Sequence, residues 1–301
     1  MISVVMATYN GSKYIIEQLN SILKQSLQPD EVIICDDCSS DDTALIIKAF
    51  IKENKLNNWF FEVNEKNKGY SLNFSDAMKK SKGDIIFLAD QDDIWLEDKI
   101  KNMSQIIEKN PKIKLLVSNA DPFYCGEAPQ KVSFEKVYGK SELVKIKNKY
   151  KWIKPMRPGC SMCFRRELLK DYDYIWFDKY PHDCLLWGLA VLNDGAFLYN
   201  RSTINFRRHD SNASSRGGYS VNRRLGILEN EITITEKMLN YYKSKADVNM
   251  PCDLSKQLDV YKKRMKLLKN KNIVLSLFMI RNIRYYGRAR FWATDLFYCL
   301  K

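Results

Sequence analysis

Four consecutive residues, Asp90-Gln91-Asp92-Asp93, place three carboxylates directly after the apolar run Ile85–Leu88. Like charges at that density repel one another unless a cation neutralises them. Oxygen ligands suit a hard divalent ion, Mn²⁺ or Mg²⁺, that also takes phosphate oxygens. The pattern predicts a metal–diphosphate site beyond the carboxyl end of a strand, where open α/β sheets bind ligands. An acidic turn capping a helix near Glu97 is the plainer reading, but solvated turns seldom follow a fully buried strand.

A second acidic pair, Asp36-Asp37, follows Glu31–Cys35 at the same end of the predicted sheet. One carboxylate there can accept N3–H of uracil or thymine, and another can take ribose hydroxyls. Cytosine has no N3–H. Ser39, Ser40 and Asp41 equally suit an Asx turn. The two histidines of the chain lie in His182-Asp183 and in Arg207-Arg208-His209-Asp210-Ser211-Asn212. A carboxylate or imidazole can accept the proton of an attacking hydroxyl, arginines can neutralise phosphate, and an imidazole nitrogen can ligate a metal.

The elements that must position these groups alternate regularly over the first 120 or so residues, which predicts an α/β fold with a mostly parallel sheet flanked by helices. Strands are expected at Ile2–Ala7, Glu31–Cys35, Trp59–Val63, Ile85–Leu88 and Lys114–Ser118. Between them the spacing predicts helices over Tyr14–Gln25, after an Asp41 or Ser40 cap, over Ser71–Lys80 and from about Glu97. The second helix should bury Leu45, Ile46, Ala49 and Phe50, and Gly83 should close the third. After Asp121 the period weakens, and Pro122, Pro129, Pro155 and Pro158 suggest substrate-facing loops. Beyond Tyr219 amphipathic helices are expected over Val221–Tyr242, Leu254–Leu268 and Ile273–Leu300. The organisation read from this is a catalytic domain over 1–219, with a nucleotide-binding half (1–120) and an acceptor half (121–219), followed by a helical, basic region over 220–301.

The 301 residues carry a net charge of +13, unevenly spread. Residues 262–290 hold ten Lys or Arg and no acid, and the Lys140–Lys154 stretch is opposed only by Glu142. Mixed with Leu277, Phe278, Tyr285 and Trp292, the first of these runs predicts a helix lying on an anionic membrane surface, where a lipid-linked acceptor is presented. The chain is expected on the cytoplasmic side, peripheral on the inner face of the membrane, because no secretory signal pattern or ~20-residue apolar span is present. Eight cysteines then read as reduced, small buried groups, and the widely spaced Cys35–Cys38 and Cys160–Cys163 pairs do not suit a compact zinc module.

Ser3-Val4-Val5-Met6-Ala7-Thr8-Tyr9-Asn10, Val32-Ile33-Ile34-Cys35-Asp36-Asp37-Cys38-Ser39 and Phe87-Leu88-Ala89-Asp90-Gln91-Asp92-Asp93-Ile94-Trp95 together resemble family 2 glycosyltransferases. More narrowly they resemble the bacterial branch of rhamnosyltransferases and other O-antigen or capsule sugar transferases. The resemblance implies a GT-A fold, a nucleotide-diphosphate sugar, a metal held by the DxD-type acids, and inversion at the anomeric carbon; with the Asp36-Asp37 reading of N3–H, the expected donor is a UDP- or dTDP-sugar. It assigns Thr8, Tyr9, Asn10, Asp36, Asp37 and Asp90 to the nucleotide, and Asp92, Asp90 and His209 to the metal. Asp93, Arg207 and Arg208 go to the diphosphate, the two arginines on a closing loop. Asp183 matches the general base, and Trp95, Gly159, Cys160 and His182 the floor between donor and acceptor. The relatives often continue past the base with two tryptophans, where this chain has Cys184-Leu185.

A sugar nucleotidyltransferase would need a Gly- and Arg-rich loop after the first strand, and Ala7-Thr8-Tyr9-Asn10-Gly11 offers one glycine and no arginine. A nucleic-acid binder would need stacking aromatics interleaved with the basic run, where only Tyr150 and Trp152 stand. No nucleic-acid partner is expected, and homo-oligomerisation is left open.

Overall fold

The computed structural model describes residues 1–127, 129, 131–134, 141–147, 152–178, 180–210, 212, 220–244, 253–287 and 289–300. Two compact units are formed, one from Met1–Lys147 with Pro155–Ser215, the other from Asn148–Lys154 with Arg216–Lys301. Residues 213–219, which contain the boundary expected at 219, lie outside the described residues, as does Cys252. The pattern alone had put 148–154 in the acceptor half, whereas here that segment belongs to the second unit.

Among the described residues a nine-stranded sheet organises the first unit. Its strands are β1 (Ile2–Thr8), β2 (Glu31–Asp36), β3 (Trp59–Val63), β4 (Ile85–Ala89), β5 (Ile94–Trp95), β6 (Leu115–Tyr124), β7 (Leu143–Lys145), β8 (Met162–Arg165) and β9 (Ala196–Arg208). The order is β3-β2-β1-β4-β8-β6-β9-β5, with β7 also on β9. Strands β1, β2, β3, β4, β6 and β9 run in one direction, while β5, β7 and β8 oppose them. The sheet is mixed but mostly parallel. Strands β2 and β4 are buried at every residue, which is why they read as unbroken apolar runs.

Helices α1 (Ile15–Leu23), α2 (Thr43–Glu53), α3 (Tyr70–Lys80) and α4 (Lys99–Lys109) fall where the periodicity put them. Two details differ. Helix α2 buries Thr43, Ile47 and Phe50 and leaves Leu45 exposed, so its inner face is turned from the expected one. Asp42 rather than Asp41 or Ser40 occupies its cap position, although the Asp41 carboxylate still accepts Thr43 N–H at 3.0 Å. Helix α3 ends at Lys80, and Gly83 serves a different purpose: its N–H donates to Ser3 Oγ at 2.7 Å, and a Cβ there would stand 2.5 Å from the Ser3 backbone nitrogen.

Strand β9, thirteen residues long, was not foreseen, nor was the run of β6 past Ser118 to Tyr124. The two pair in parallel with register shifts at Ser118–Ala120, and irregular pairing blurs the alternation that a regular strand prints in sequence. Helices α5 (Glu167–Ile175) and α6 (His182–Leu192) complete the unit.

The second unit holds α7 (Val221–Ser244), α8 (Leu254–Lys269), α9 (Ile273–Phe278) and α10 (Ala289–Leu300). The single helix expected over Ile273–Leu300 is broken: a 3₁₀ segment follows α9, Asn282 leaves helical geometry, and Gly287 sits at φ +73°. Buried Asp295 on α10 receives Arg224 Nε at 3.0 Å and Arg264 Nε at 2.8 Å. Buried Trp152 donates from Nε1 to Gln257 Oε1 at 2.9 Å, which fastens it to α8.

Removing the Asp295 carboxylate would leave the buried Arg264 guanidinium and the half-buried Arg224 guanidinium without their shared partner. Asp295→Ala is expected to lower stability by about 3–5 kcal/mol. Urea denaturation followed by circular dichroism checks this, and a midpoint unchanged from the parent would show that the network is not a tie of this unit.

Candidate functional site

The acidic segment turns out of the sheet between β4 and β5, at the carboxyl ends of the parallel strands. Four contacts hold it. Gln91 and Tyr9 exchange a reciprocal pair, Tyr9 N–H donating to Gln91 Oε1 at 2.8 Å and Gln91 Nε2 to Tyr9 O at 2.9 Å. Gly11 lies against this amide so closely that a Cβ would strike it. On the other side Arg207 donates from its backbone N–H to Asp93 Oδ1 at 3.0 Å and from Nε to Asp92 O at 2.7 Å.

Arg207 and Arg208 lie at the end of β9, not on a closing loop, and both are buried. The Arg207 guanidinium is held between the rings of Tyr14 and Phe123, 4.6 Å from each centroid, and pairs with Glu17 at 3.0 Å. The Arg207 guanidinium, enclosed by two rings and a carboxylate, has a structural role in place of the diphosphate role expected of it. Asp93 is corrected in the same way: wholly buried and accepting from Arg207, it builds the loop.

Asp92 is the carboxylate that the loop presents to the chain's second histidine. Its Oδ2 lies 2.8 Å from His209 Nε2 and accepts from Asn212 Nδ2 at 3.0 Å. Asn212 in turn accepts the His209 backbone N–H at 2.7 Å, and the imidazole rests 4.8 Å from the Tyr14 ring. Asp90 is half-buried. Burial, Asp92 and Asp183 push its carboxyl up to about 7. Burial is the larger cause and the two neighbouring carboxylates add to it, surroundings in which a nearby cation would be favoured.

Among the described residues, the potential ligand atoms that gather within 4.8 Å of one another belong to Asp90, Asp93 and Cys160, a group that includes neither Asp92 nor His209. Burial, with Asp93 and Asp90 beside it, holds the Cys160 thiol well above its ordinary range, so it stays protonated. Asp93 is already committed. Asp90, Asp92 and His209, the set that the resemblance assigned, offer two oxygens and a nitrogen, donor types that a hard divalent ion accepts. Beneath the acids lies Lys99, which the sequence reading passed over. It is buried, its Nζ donates to Cys160 O at 2.8 Å and stands 4.5 Å over the Trp95 ring, and burial lowers it to about 8. Trp95 is consequently a core support of β5 and not an open floor.

Asp183 stands in the first turn of α6, with Pro181 at the cap position, so it is not the helix cap. Its Oδ1 accepts Cys184 N–H at 2.8 Å. Gly159, in a 3₁₀ turn, packs on it: a Cβ at 159 would be 3.0 Å from Asp183 Cβ. Asp183 therefore touches residue 159 while Asp90 approaches residue 160, which brings the candidate base and the candidate metal site together. His182 is turned the other way. It is buried, stacked on Phe74 at 4.0 Å, and lowered to about 4 by that burial, so it is a neutral packing group and not floor.

The nucleotide-side residues divide. Tyr9 and Asn10 are exposed, Asn10 in the left-handed region at φ +48°. Thr8, Asp36 and Asp37 are buried. Asp36 accepts from Thr8 Oγ1 at 2.8 Å, Ser39 Oγ at 2.6 Å and Ser39 N–H at 2.8 Å. Asp37 accepts from Asn64 Nδ2 at 3.0 Å, Lys68 N–H at 2.8 Å and Gly69 N–H at 2.7 Å. Each carboxylate thus takes three donors from its surroundings, and the turn-building role that the serine neighbours suggested is observed for Asp36.

Residues 3–173 match the family model of glycosyl transferase family 2. The chain is 27% identical over 259 residues to the UDP-Glc:alpha-D-GlcNAc-diphosphoundecaprenol beta-1,3-glucosyltransferase WfgD of Escherichia coli, across 80% of this chain and 92% of that one. It is 29% identical over 243 residues to the dTDP-rhamnosyl transferase RfbG of Shigella flexneri, across 75% and 80%. In fold it matches the crystal structure of S. aureus TarS 1-349 in complex with UDP-GlcNAc, with a TM-score of 0.62 at 21% identity over 98% of this chain and 81% of that one.

Asp90 must be ionised to bind a cation, and its raised value means that this ionisation opposes folding. Without metal, stability contributed by Asp90 falls as pH rises from the ordinary carboxylate range through about 7. A bound dication reverses that loss. Mn²⁺ is expected to raise the melting temperature more at about pH 8 than at about pH 5.5, and Asp92→Ala to abolish the difference. Equal shifts at both pH values would remove Asp90 from the ligand set.

Proposed function

The chain belongs to glycosyl transferase family 2 and carries the GT-A fold, and we propose that it moves one sugar from a UDP- or dTDP-sugar to a hydroxyl of a glycan acceptor, with inversion. The observation that carries the mechanism is the juxtaposition of Asp183 and Asp90 across Gly159–Cys160. In this reading Asp183 accepts the proton of the acceptor hydroxyl as its oxygen bonds to the anomeric carbon. The bond from that carbon to the diphosphate breaks, and the nucleoside diphosphate leaves with the electron pair. Asp90, Asp92 and His209 would hold Mn²⁺ or Mg²⁺, which would supply positive charge for the diphosphate leaving group. Asn212 and Tyr14 keep the His209 ring in place beside Asp92.

The preference for a uracil or thymine donor rests on the names of the two bacterial relatives, since Asp36 and Asp37 are occupied with loop backbone. Exposed Tyr9 is the group that remains at the nucleoside end to pack on a base. A lipid-linked acceptor in surface polysaccharide synthesis, such as O-antigen or capsule, agrees with the diphosphoundecaprenol acceptor in the name of the glucosyltransferase and with the basic run over 262–290. That run would hold the protein peripherally at the inner membrane face. Among the described residues no helix is long and apolar enough to cross a membrane.

Asp183→Asn separates chemistry from structure. The amide oxygen can still accept Cys184 N–H, but the side chain no longer takes a proton. Transfer is expected to fall ~10²–10⁴-fold in kcat, with donor KM and melting temperature near those of the parent. Steady-state kinetics beside thermal melts measure all three, and transfer within a few-fold of the parent would take Asp183 out of the mechanism.

A further inference from the structure

Helix α9 is turned inside out. Its buried residue is Ser276, while Ile273, Val274, Leu277 and Phe278 are exposed, and Ile280 follows them outward. Val274 and Phe278 stand four residues apart, with Leu277 between, so they share one helix face. A helix that merely packed on its neighbours would place these side chains inward and the serine outward. The helix is nevertheless well fixed. Asn272 Oδ1 caps it by accepting Leu275 N–H at 2.8 Å, Trp292 Nε1 donates to Ser276 O at 2.8 Å, and Met279 is buried behind it. The outward apolar face is thus part of the folded unit and not a frayed end.

Charge says what covers it. Exposed Lys269 and Lys271 precede the face and exposed Arg281 follows it, inside a run that contains no acid from 262 to 290. Bringing a second copy of this face against the first would bring like charges together, whereas an anionic lipid surface offers apolar chains beneath negative headgroups. We propose that α9 and the turn after it form a wedge whose Val274, Leu277, Phe278 and Ile280 insert below the headgroups of an anionic membrane, with Lys269, Lys271 and Arg281 on the phosphates. This deepens the membrane contact proposed above and rests on it, but not on the identity of the sugar donor.

The test uses the full chain with vesicles of phosphatidylglycerol and phosphatidylcholine, and with phosphatidylcholine alone. Two variants are compared, Leu277→Ser/Phe278→Ser and Lys269→Glu/Arg281→Glu, each with melting temperature and donor hydrolysis measured alongside. Headgroup contacts are screened by salt and apolar insertion is not. The parent should bind the phosphatidylglycerol vesicles and keep part of that binding at high salt. The serine variant should bind about tenfold or more weakly and lose the salt-resistant part, while melting and hydrolysis stay unchanged. The glutamate variant should lose the preference for phosphatidylglycerol. A serine variant that binds as the parent does overturns the wedge, and if the glutamate variant is weakened in the same experiment the electrostatic contact survives it. Binding unaltered by either variant overturns both. A parent dimer in light scattering, dispersed by the serine variant and indifferent to vesicles, would assign the face to a second copy and overturn the proposal.

Discussion

Repulsion among carboxylates crowded at the end of β4 is the constraint around which the first unit is arranged. Asp90, Asp92 and Asp93 lie within four residues, and Asp183 raises Asp90 further. At short range in a partly dry site such charges oppose one another strongly, so the loop holds its shape only if cations and donors are fixed around it. Arg207 supplies a guanidinium and a backbone N–H from one strand end, and Lys99 supplies an ammonium from below. Glu17 and the two rings around Arg207 fix that guanidinium in turn. The protein's own cations stabilise the fold of the loop, while Asp90 keeps a carboxyl raised by burial and by Asp92 and Asp183.

The same end of the sheet is stitched by side chains that satisfy loop backbone. Asn10 N–H donates to Ser39 Oγ, Gly11 N–H to Thr43 Oγ1, and Ser12 N–H to Asp41 Oδ2, joining the loop after β1 to the loop after β2. Asp37 does likewise for the loop after β3 through Lys68 and Gly69. Three successive βα connections are thereby tied to one another. A site pre-formed in this way lowers the ordering cost of binding, which is why so many polar residues here face the protein and so few face outward.

The elements with regular periods were legible in the sequence: β1 to β4 through continuous apolar burial, α1 to α4 through their turn-by-turn repeat. The acids after β4 were legible because their chemistry is local, with three charges side by side. What could not be read was partnership across distance. Nothing near Arg207 in sequence announces that Tyr14, Phe123 and Glu17 will enclose it, so it read as a solvated phosphate clamp. Asp36 and Asp37 show the same ambiguity, since a carboxylate after a strand serves a turn or a ligand equally well until its donors are known. The break at Asn282 and Gly287 was masked because apolar residues continue through it at roughly helical spacing.

In the second unit the placement of charge explains the placement of apolar surface. Arg224 and Arg264 are balanced by Asp295 and Glu231, so the buried network adds no net charge and its cost is met by pairing. The basic excess of this unit must then reside on its outside, and it does so at Lys269, Lys271 and Arg281. A unit that needed only solubility could have surrounded those lysines and arginine with polar side chains. Instead Val274, Leu277 and Phe278 are displayed among them while Ser276 is buried, an arrangement that loses apolar burial within the fold. Such a loss is stable only where tertiary contacts elsewhere over-determine the helix, and the Asn272 cap and the Trp292 bond provide those contacts.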